Sequence, residues 1–262
     1  MMESLYVVKI GGNIIDDEQL LSSFLKKFAA INNKKILIHG GGKLATRIAE
    51  KLGTPQQMVE GRRITDAETL KIVTMVYAGY INKNIVAELQ SMKCNALGIT
   101  GADGNSILSH KRERAGIDYG FAGDIDQVDA SWFIKLLLNG QTLVVAPITH
   151  DGKGQLLNTN ADTIAQEIAK SLGSFFEVVL IYSFEKSGVL KDVENENSVI
   201  EKLHPGYYKE LKETEKIFAG MIPKLDNAFK AIEAGVHKVI IGKGQELDQL
   251  ILGNSGTTIS HE

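Results

Sequence analysis

Cysteine occurs once in the 262 residues, as Cys94. An internal disulfide framework and a thiolate metal cage are therefore excluded, and a lone thiol suits a reducing compartment, so the cytoplasm is the expected location. No run approaches the roughly 18 consecutive apolar residues of a membrane span, and the apolar stretch in the opening MMESLYVVKIGGN is too short for the core of a secretory signal. Neither sign of charge dominates. A net charge of -3 leaves no broad basic field for a nucleic-acid backbone, while a local patch for a small anion stays open. The four prolines form no Pro/Ser-rich linker, and the six histidines lack the H-E-x-x-H spacing of a zinc site, so no protein-bound metal is expected.

What is present is an ordinary globular composition, 44% hydrophobic and 23% charged, enough for one large or two intimate soluble domains. Short β-rich runs (LYVVKI, KILI, ALGIT, TLVVAP, EVVLIY, KVII) alternate with longer segments of helical period. The runs are nearly continuous in hydrophobicity, as in a parallel α/β sheet with helices on both faces. Leu44, Ile48 and Leu52 predict the core side of one helix; Ile164, Ile168 and Leu172, with Ala161, Ala165 and Ala169 beside them, predict that of another. The segment Ala67 to Lys93 carries Leu70, Val73, Tyr77, Ile81, Ile85 and Leu89, more apolar surface than a peripheral crossover helix needs, and burial against a second subunit accounts for it. Only the stretch GADGNSILSHKRERAGIDYGFAGDIDQVDAS reads as a long irregular insertion holding a β-hairpin and a loop. A division near Leu172 to Ser174 separates a front half, 1–173, from a back half, 174–262, that share one sheet.

In an open parallel sheet ligands gather outside the carboxyl ends of the strands. Two glycine clusters fall at such ends: Gly11 and Gly12 close the first strand, and Gly40, Gly41 and Gly42 close the second. Without a Cβ these residues let backbone N–H groups approach an anion, and a following helix adds the positive end of its dipole. Glycines making tight turns would look the same one pair at a time. A P-loop is ruled out, because Leu37 stands where one ending at Lys43 needs its first glycine and Leu44 replaces the Ser/Thr. G-x-G-x-x-G is absent, and HGGG has no G-x-S-x-G nucleophile elbow to serve.

Charged residues accompany these turns. Lys9 interrupts an apolar strand just before Gly11, where a buried ammonium needs an anionic partner; taken alone it is a strand-end lysine reaching solvent. Asn158 and Asn160 precede a helix that has Asp162 in its first turn. Capping explains Asn160 and dipole pairing explains Asp162, while Asn158 and Asp162 together also offer an amide for a carboxylate substrate and an acid to hold lysines. A helix is expected after Gly220, with Pro223 in its first turn, Met221, Leu225, Ala228 and Ile232 on its buried side, and Lys224 at the flank. A lysine there opposes the macrodipole unless an anion lies nearby. Arg62 and Arg63, before a helix capped at Thr65 or Asp66, suit bidentate recognition of a carboxylate or stand as exposed loop arginines.

The ordered set KIGGN, HGGGK, EGRRITDAETL, NKNIVAEL, ITGADG, LNTNAD, SGVL and GMIPKL, running from near residue 5 to near residue 235, resembles the amino-acid kinase family, and within it the N-acetylglutamate kinases. The resemblance implies a three-layer αβα sandwich with a mainly parallel central sheet. It implies an N-terminal half that binds an N-acyl-L-glutamate and mediates dimerisation, and a C-terminal half that binds ATP with Mg2+. The γ-phosphoryl moves to the side-chain carboxylate. Carried over to this chain, Lys9 and Lys224 neutralise charge on the transferring phosphoryl, Gly11, Gly12, Gly41 and Gly42 line the phosphate path, Asp162 orients both lysines, and Arg63 and Asn158 hold the substrate's α-carboxylate and backbone, with Gly41 and Gly42 against it. Such chemistry needs alignment and charge neutralisation more than a general base, since the accepting oxygen is already ionised.

Three segments depart from the family pattern. YSFEKSGVL has Glu185 and Lys186 in place of an aspartate-containing turn, HGGGK has Lys43 for proline, and GRRIT has Arg62 for leucine. An extra cation at Arg62 or Lys43 suits an N-succinyl substrate as an alternative to N-acetyl. Arginine-inhibited members carry a helix ahead of the first strand; only Met1 to Ser4 precede it here, and the expectation is a homodimer through Ala67 to Lys93 without arginine feedback. A carbamate, aspartate or uridylate kinase of the same fold, and a catalytically silent nucleotide or metabolite sensor, remain open at this point.

Overall fold

The computed structural model describes residues 2–59, 61–192, 194–196, 198–214, 217 and 221–261, with the backbone alone at 223. Gly220, taken from the sequence as the start of the late helix, and Glu60 of EGRRITDAETL lie outside the described residues. In chain order the strands are β1 (Ser4–Ile10), β2 (Lys34–His39), β3 (Met58–Val59), β4 (Arg62–Arg63), β5 (Ala96–Ile99), β6 (Ile107–Arg114), β7 (Ile117–Val128), β8 (Thr142–Val145), β9 (Ile148–His150), β10 (Leu156–Thr159), β11 (Glu177–Phe184), β12 (Lys202–Leu203), β13 (Lys238–Lys243) and β14 (Thr257–Ile259). The α-helices are α1 (Gly12–Ile15), α2 (Glu18–Ala29), α3 (Gly42–Lys51), α4 (Ala67–Thr74), α5 (Asn82–Ser91), α6 (Ala130–Leu138), α7 (Ala161–Leu172), α8 (Pro205–Glu213), α9 (Ile222–Glu233) and α10 (Leu247–Leu252).

Eight strands form one sheet in the order β12-β14-β13-β11-β1-β2-β8-β5. Every pairing from β13 to β5 is parallel, and β14 runs antiparallel to β13. Alternation along each strand divides the core in two. Leu5 and Val7 of β1 join Ile36 and Ile38 of β2 and Leu180 of β11 on one face, with α7 packed over them and α9 beside it against β13. Val8 and Ile10 join Leu37 and Ile181 on the other, under Phe24, Leu25 and Phe28 of α2 and Ile85 and Leu89 of α5. A strand buried on both faces must be apolar at every position, and so these runs show no polar alternation. The three-layer α/β expectation holds. Residues 1–173 supply β1, β2, β5 and β8, and 174–262 supply β11 to β14, to the same sheet.

Three local expectations are corrected. On α3 the fully buried side is Ala45 and Ala49; Leu44 and Ile48 are only half-buried, and Leu52, the C-cap residue, is exposed. The helix abuts the sheet closely enough that small residues occupy the contact, and it ends before Leu52 reaches the core. Within 101–131 the expected hairpin is present as β6 and β7, but the stretch is not an irregular insertion, because that hairpin closes with β9 and β10 into a small four-stranded barrel. Finally, Ala67 to Ser91 is helical throughout but not α throughout, because Met75–Ile81 is a π-helix between α4 and α5. Leu70, Val73, Tyr77, Ile81, Ile85 and Leu89 are all buried within this one chain, so their apolar surface needs no second subunit; Met75 and Tyr80 are the large apolar residues of this segment that stay exposed.

Candidate active site

Strands β1 and β2 end side by side, Lys9 level with Ile38 and Ile10 with His39. The Gly40 N–H donates to the Ile10 carbonyl at 3.2 Å, which places the Gly11–Gly12 and Gly40–Gly42 turns next to each other at the carboxyl edge of the sheet. Gly41 has φ +148°, and a Cβ there would collide with Ile81 Cδ1 and crowd the Tyr77 ring, so this position admits glycine alone.

A cleft of about 390 Å³ opens beside the first turn, lined by Lys9, Gly11, Gly12, Asn13, the Ser183 to Lys186 segment, Met221 and Lys224. Lys9 Nζ lies 2.7 Å from Asp162 Oδ1, an ion pair in which the lysine is 15% exposed. Asp162 is held in the first turn of α7, where Asn160 caps the helix by accepting from the Asp162 and Thr163 N–H groups at 2.9 and 3.1 Å. Lys224, from the first turn of α9, has its Nζ 4.0 Å from the centre of the Phe184 ring. Burial pulls its pKa down, Asp162 attracts its charged form and Lys9 repels it. Two ammonium groups 215 positions apart thus face one carboxylate. The expected pairing of Asp162 with both lysines is halved, because only Lys9 is within ion-pair distance. The remaining positive charge is what an anion in the cleft would balance.

A second cavity, of about 170 Å³, lies beside the Gly40–Gly42 turn and is lined by Met58, Arg62, Arg63, Tyr77, Pro147 and the Asn158 to Ala161 segment. Arg63 is 7% exposed, and its guanidinium donates to neutral acceptors: the Gly42 carbonyl and Thr46 Oγ1, both at 2.9 Å, and Gln56 Oε1. Among the described residues no carboxylate pairs with it. A buried cation surrounded by neutral groups is costly until an anion arrives, and its planar fork matches a carboxylate. Asn158 Nδ2 donates to Thr65 Oγ1 at 3.0 Å, and Thr65 Oγ1 in turn donates to the Arg63 carbonyl at 2.9 Å. Asn158 to Ala161 line the second cavity, and Asp162, next in the chain, pairs with Lys9 of the first.

A family model described as "Amino acid kinase family" matches residues 4–243. The chain belongs to the amino acid kinase family. Among curated relatives, the acetylglutamate kinase of Cytophaga hutchinsonii is 59% identical over 97% of this chain and 96% of its own length, and that of Phocaeicola vulgatus is 52% identical over 99% of each. Among solved structures, smu.665 from Streptococcus mutans superposes with a TM-score of 0.79 at 25% identity over 100% of both chains. The N-acetylglutamate synthase of Neisseria gonorrhoeae, complexed with coenzyme A and N-acetyl-glutamate, reaches 0.83 at 23% identity; this chain spans 60% of that longer one.

In this amino acid kinase fold, the residues the family resemblance pointed to fall around two neighbouring cavities: Lys9, Gly11, Gly12 and Lys224 line the larger cleft, Gly41, Gly42, Arg63 and Asn158 line the smaller one, and Asp162 pairs with Lys9. The helix cap left between Thr65 and Asp66 is Asp66, whose carboxylate accepts from the Thr69 N–H at 2.7 Å. Of the two extra cations, Arg62 lines the smaller cavity and lies 3.7 Å from Asp124, whereas Lys43 turns away to Asn13 Oδ1 at 3.0 Å and does not reach that cavity. Glu185 and Lys186 line the larger cleft, and Lys186 pairs with Glu196 at 3.5 Å. Residues missed from the sequence are Tyr77, whose hydroxyl titrates above the ordinary range because of burial, Gln56, Thr46 and Phe184. Tyr77 sat within an apolar stripe and gave no sign of facing a cavity.

Proposed function

We propose that this chain transfers the γ-phosphoryl of ATP to the side-chain carboxylate of N-acetyl-L-glutamate, forming an acyl phosphate, an early step of arginine biosynthesis. The observation that carries this reading is that Lys9, paired with Asp162, and Lys224 line one cleft whose glycine turn lies beside that of the arginine-lined cavity. Relatives named acetylglutamate kinase at 50–59% identity favour it over a carbamate, aspartate or uridylate kinase and over a silent sensor.

In the mechanism, ATP lies in the larger cleft with its phosphates over Gly11 and Gly12, and N-acetylglutamate lies in the smaller cavity. Arg63 pairs with the α-carboxylate, and Asn158 orients the substrate backbone. The side-chain carboxylate oxygen attacks the γ-phosphorus in line; the new P–O bond forms as the bond to the bridging oxygen breaks, and ADP leaves with that electron pair. Lys9 and Lys224 neutralise the charge on the equatorial and bridging oxygens, and the N–H groups of Gly12, Gly41 and Gly42 complete the cradle. Asp162 holds Lys9 directly and Lys224 through space. Magnesium is taken to enter on the phosphates of ATP, since no group of three or more metal-ligating side chains exists among the described residues. Residues 1–173 then form the acyl-glutamate half and 174–262 the nucleotide half.

Hydroxylamine trapping of the acyl phosphate tests the reaction. Lys9→Met and Lys224→Met are expected to lower kcat by about a hundred- to a thousand-fold each, the usual loss for one oxyanion donor. Turnover of carbamate or aspartate with none of N-acetylglutamate would refute the reading. Arg62 at the rim makes N-succinylglutamate the competing acyl substrate; an unchanged preference between the two after Arg62→Ala removes that idea. The exposed Met75 and Tyr80 on the π-helical stretch support a homodimer through this face, which light scattering checks: a monomer or a hexamer contradicts it. The cytoplasm, which supplies ATP and keeps Cys94 reduced, is the proposed compartment; no helix among the described residues is long and apolar enough to cross a membrane.

A further inference from the structure

His39, the residue before the glycine turn, is fully buried, as is Asn82 at the start of α5. Their hydrogen bonds leave one arrangement. Asn82 Nδ2 lies 2.9 Å from the Val144 carbonyl, which only accepts, so this atom is the amide nitrogen and donates. Its second N–H points to His39 Nε2 at 3.2 Å, which must then be the acceptor. The imidazole proton is therefore on Nδ1, which donates to the Gly40 carbonyl at 2.8 Å. Burial also pushes the imidazole pKa down to about 4, and the nearby Lys83 adds to the effect, so the ring is neutral at working pH.

The consequence lies in the next peptide. In a trans peptide the carbonyl and the following N–H point in opposite directions, and no cis peptide bond occurs among the described residues. With the Gly40 carbonyl turned inward to His39, the Gly41 N–H is turned outward, on a residue that lines the smaller cavity. Among the described residues no acceptor meets that N–H.

We infer that His39, held in its Nδ1–H tautomer by Asn82, is a positioning residue that aims the Gly41 N–H at the transferring phosphoryl group. This rests on the phosphotransfer reading above and adds to it the buried pair that holds one donor of the cradle fixed. A fixed donor needs no reorganisation as charge develops, so its loss appears in the chemical step rather than in ground-state binding.

The experiment compares His39→Leu, which has no donor, with His39→Asn, whose amide can donate from near the Nδ1 position. Both are assayed by acyl-phosphate trapping, with circular dichroism for folding and calorimetry for ADP binding. His39→Leu is expected to lower kcat by about a hundred-fold, while KM for N-acetylglutamate and Kd for ADP move by less than about threefold; His39→Asn recovers at least about tenfold of the loss. Equal kcat in the two folded variants, or a loss confined to KM, overturns the inference. Should His39→Leu not fold, the imidazole 15N spectrum of the wild-type protein decides: a proton on Nδ1 is expected, and a proton on Nε2 refutes it. That spectrum does not depend on turnover, so a wild-type protein inactive on every acyl glutamate would sink the phosphotransfer reading and leave the tautomer result separate.

Discussion

Acid should destabilise this protein through His39 by an amount the structure sets. The ordinary imidazole titrates near 6.5 and the buried one near 4. Between those values the unfolded chain binds a proton that the folded chain refuses, because protonating Nε2 would set an N–H against the Asn82 amide in a fully buried site. A depressed folded-state value therefore contributes stability that is complete above pH 6.5 and disappears as pH falls toward 4. At about 1.4 kcal/mol per pH unit the window is worth roughly 3 kcal/mol, a large share of the 5–15 kcal/mol typical of a folded domain. Urea unfolding of wild type and His39→Asn at several pH values from 7.5 to 4.5 isolates the effect, since all other titrating groups occur in both proteins and cancel in the difference. The stability advantage of wild type should shrink by most of that amount over the window. A difference that stays flat from pH 7.5 to 4.5 refutes the assignment of a buried, neutral imidazole.

Burial lowers the pKa of Lys224, so its charge is lost as pH rises at a value below that of an ordinary lysine; the alkaline limb of kcat should move to higher pH in Lys224→Arg, and an unmoved limb contradicts the role given to this ammonium. Gly41→Ala must push against Ile81 and Tyr77 and is expected to cost about 1–3 kcal/mol of stability with a drop in kcat, measured by thermal melts and trapping; an unchanged melt and rate would mean that the turn has room to move. N-acetylglutamate should raise the melting temperature of wild type by pairing with Arg63, and the shift should vanish in Arg63→Leu while the empty variant melts no lower; a persisting ligand shift would place the substrate elsewhere.

The sheet was readable because its six parallel runs are buried on both faces, leaving continuous β-branched segments that alternate with helical ones. Lys9 and Lys224 were candidates from local oddity alone, an ammonium in an apolar strand and another opposing a helix dipole, but nothing in their spacing brings them together; the family resemblance did that. Arg63 looked the same in sequence whether exposed or buried, since the neutral ring of Gln56, Thr46 and the Gly42 carbonyl that makes it an anion trap comes from distant segments. Leu52 misled because helical spacing says nothing about where the core ends. His39 and Asn82 escaped notice because a polar residue on an apolar stripe reveals its partner only in three dimensions.

The π-helical turn at Met75–Ile81 holds one residue more than an α-helix presenting the same face would need. Its wider winding acts as an inserted residue, resetting the angular phase between Leu70 and Val73 before it and Ile85 and Leu89 after it, while bringing Tyr77 and Ile81 under Gly41. Forcing the same residues into uniform α-winding would swing everything downstream by roughly 100°, whereas deleting one residue here would restore an α-helix with its downstream face unmoved. Without the wide turn Ile85 and Leu89 would leave the core and Asn82 would leave His39 together, so the register of this segment survives the loss of one residue but not the gain of one.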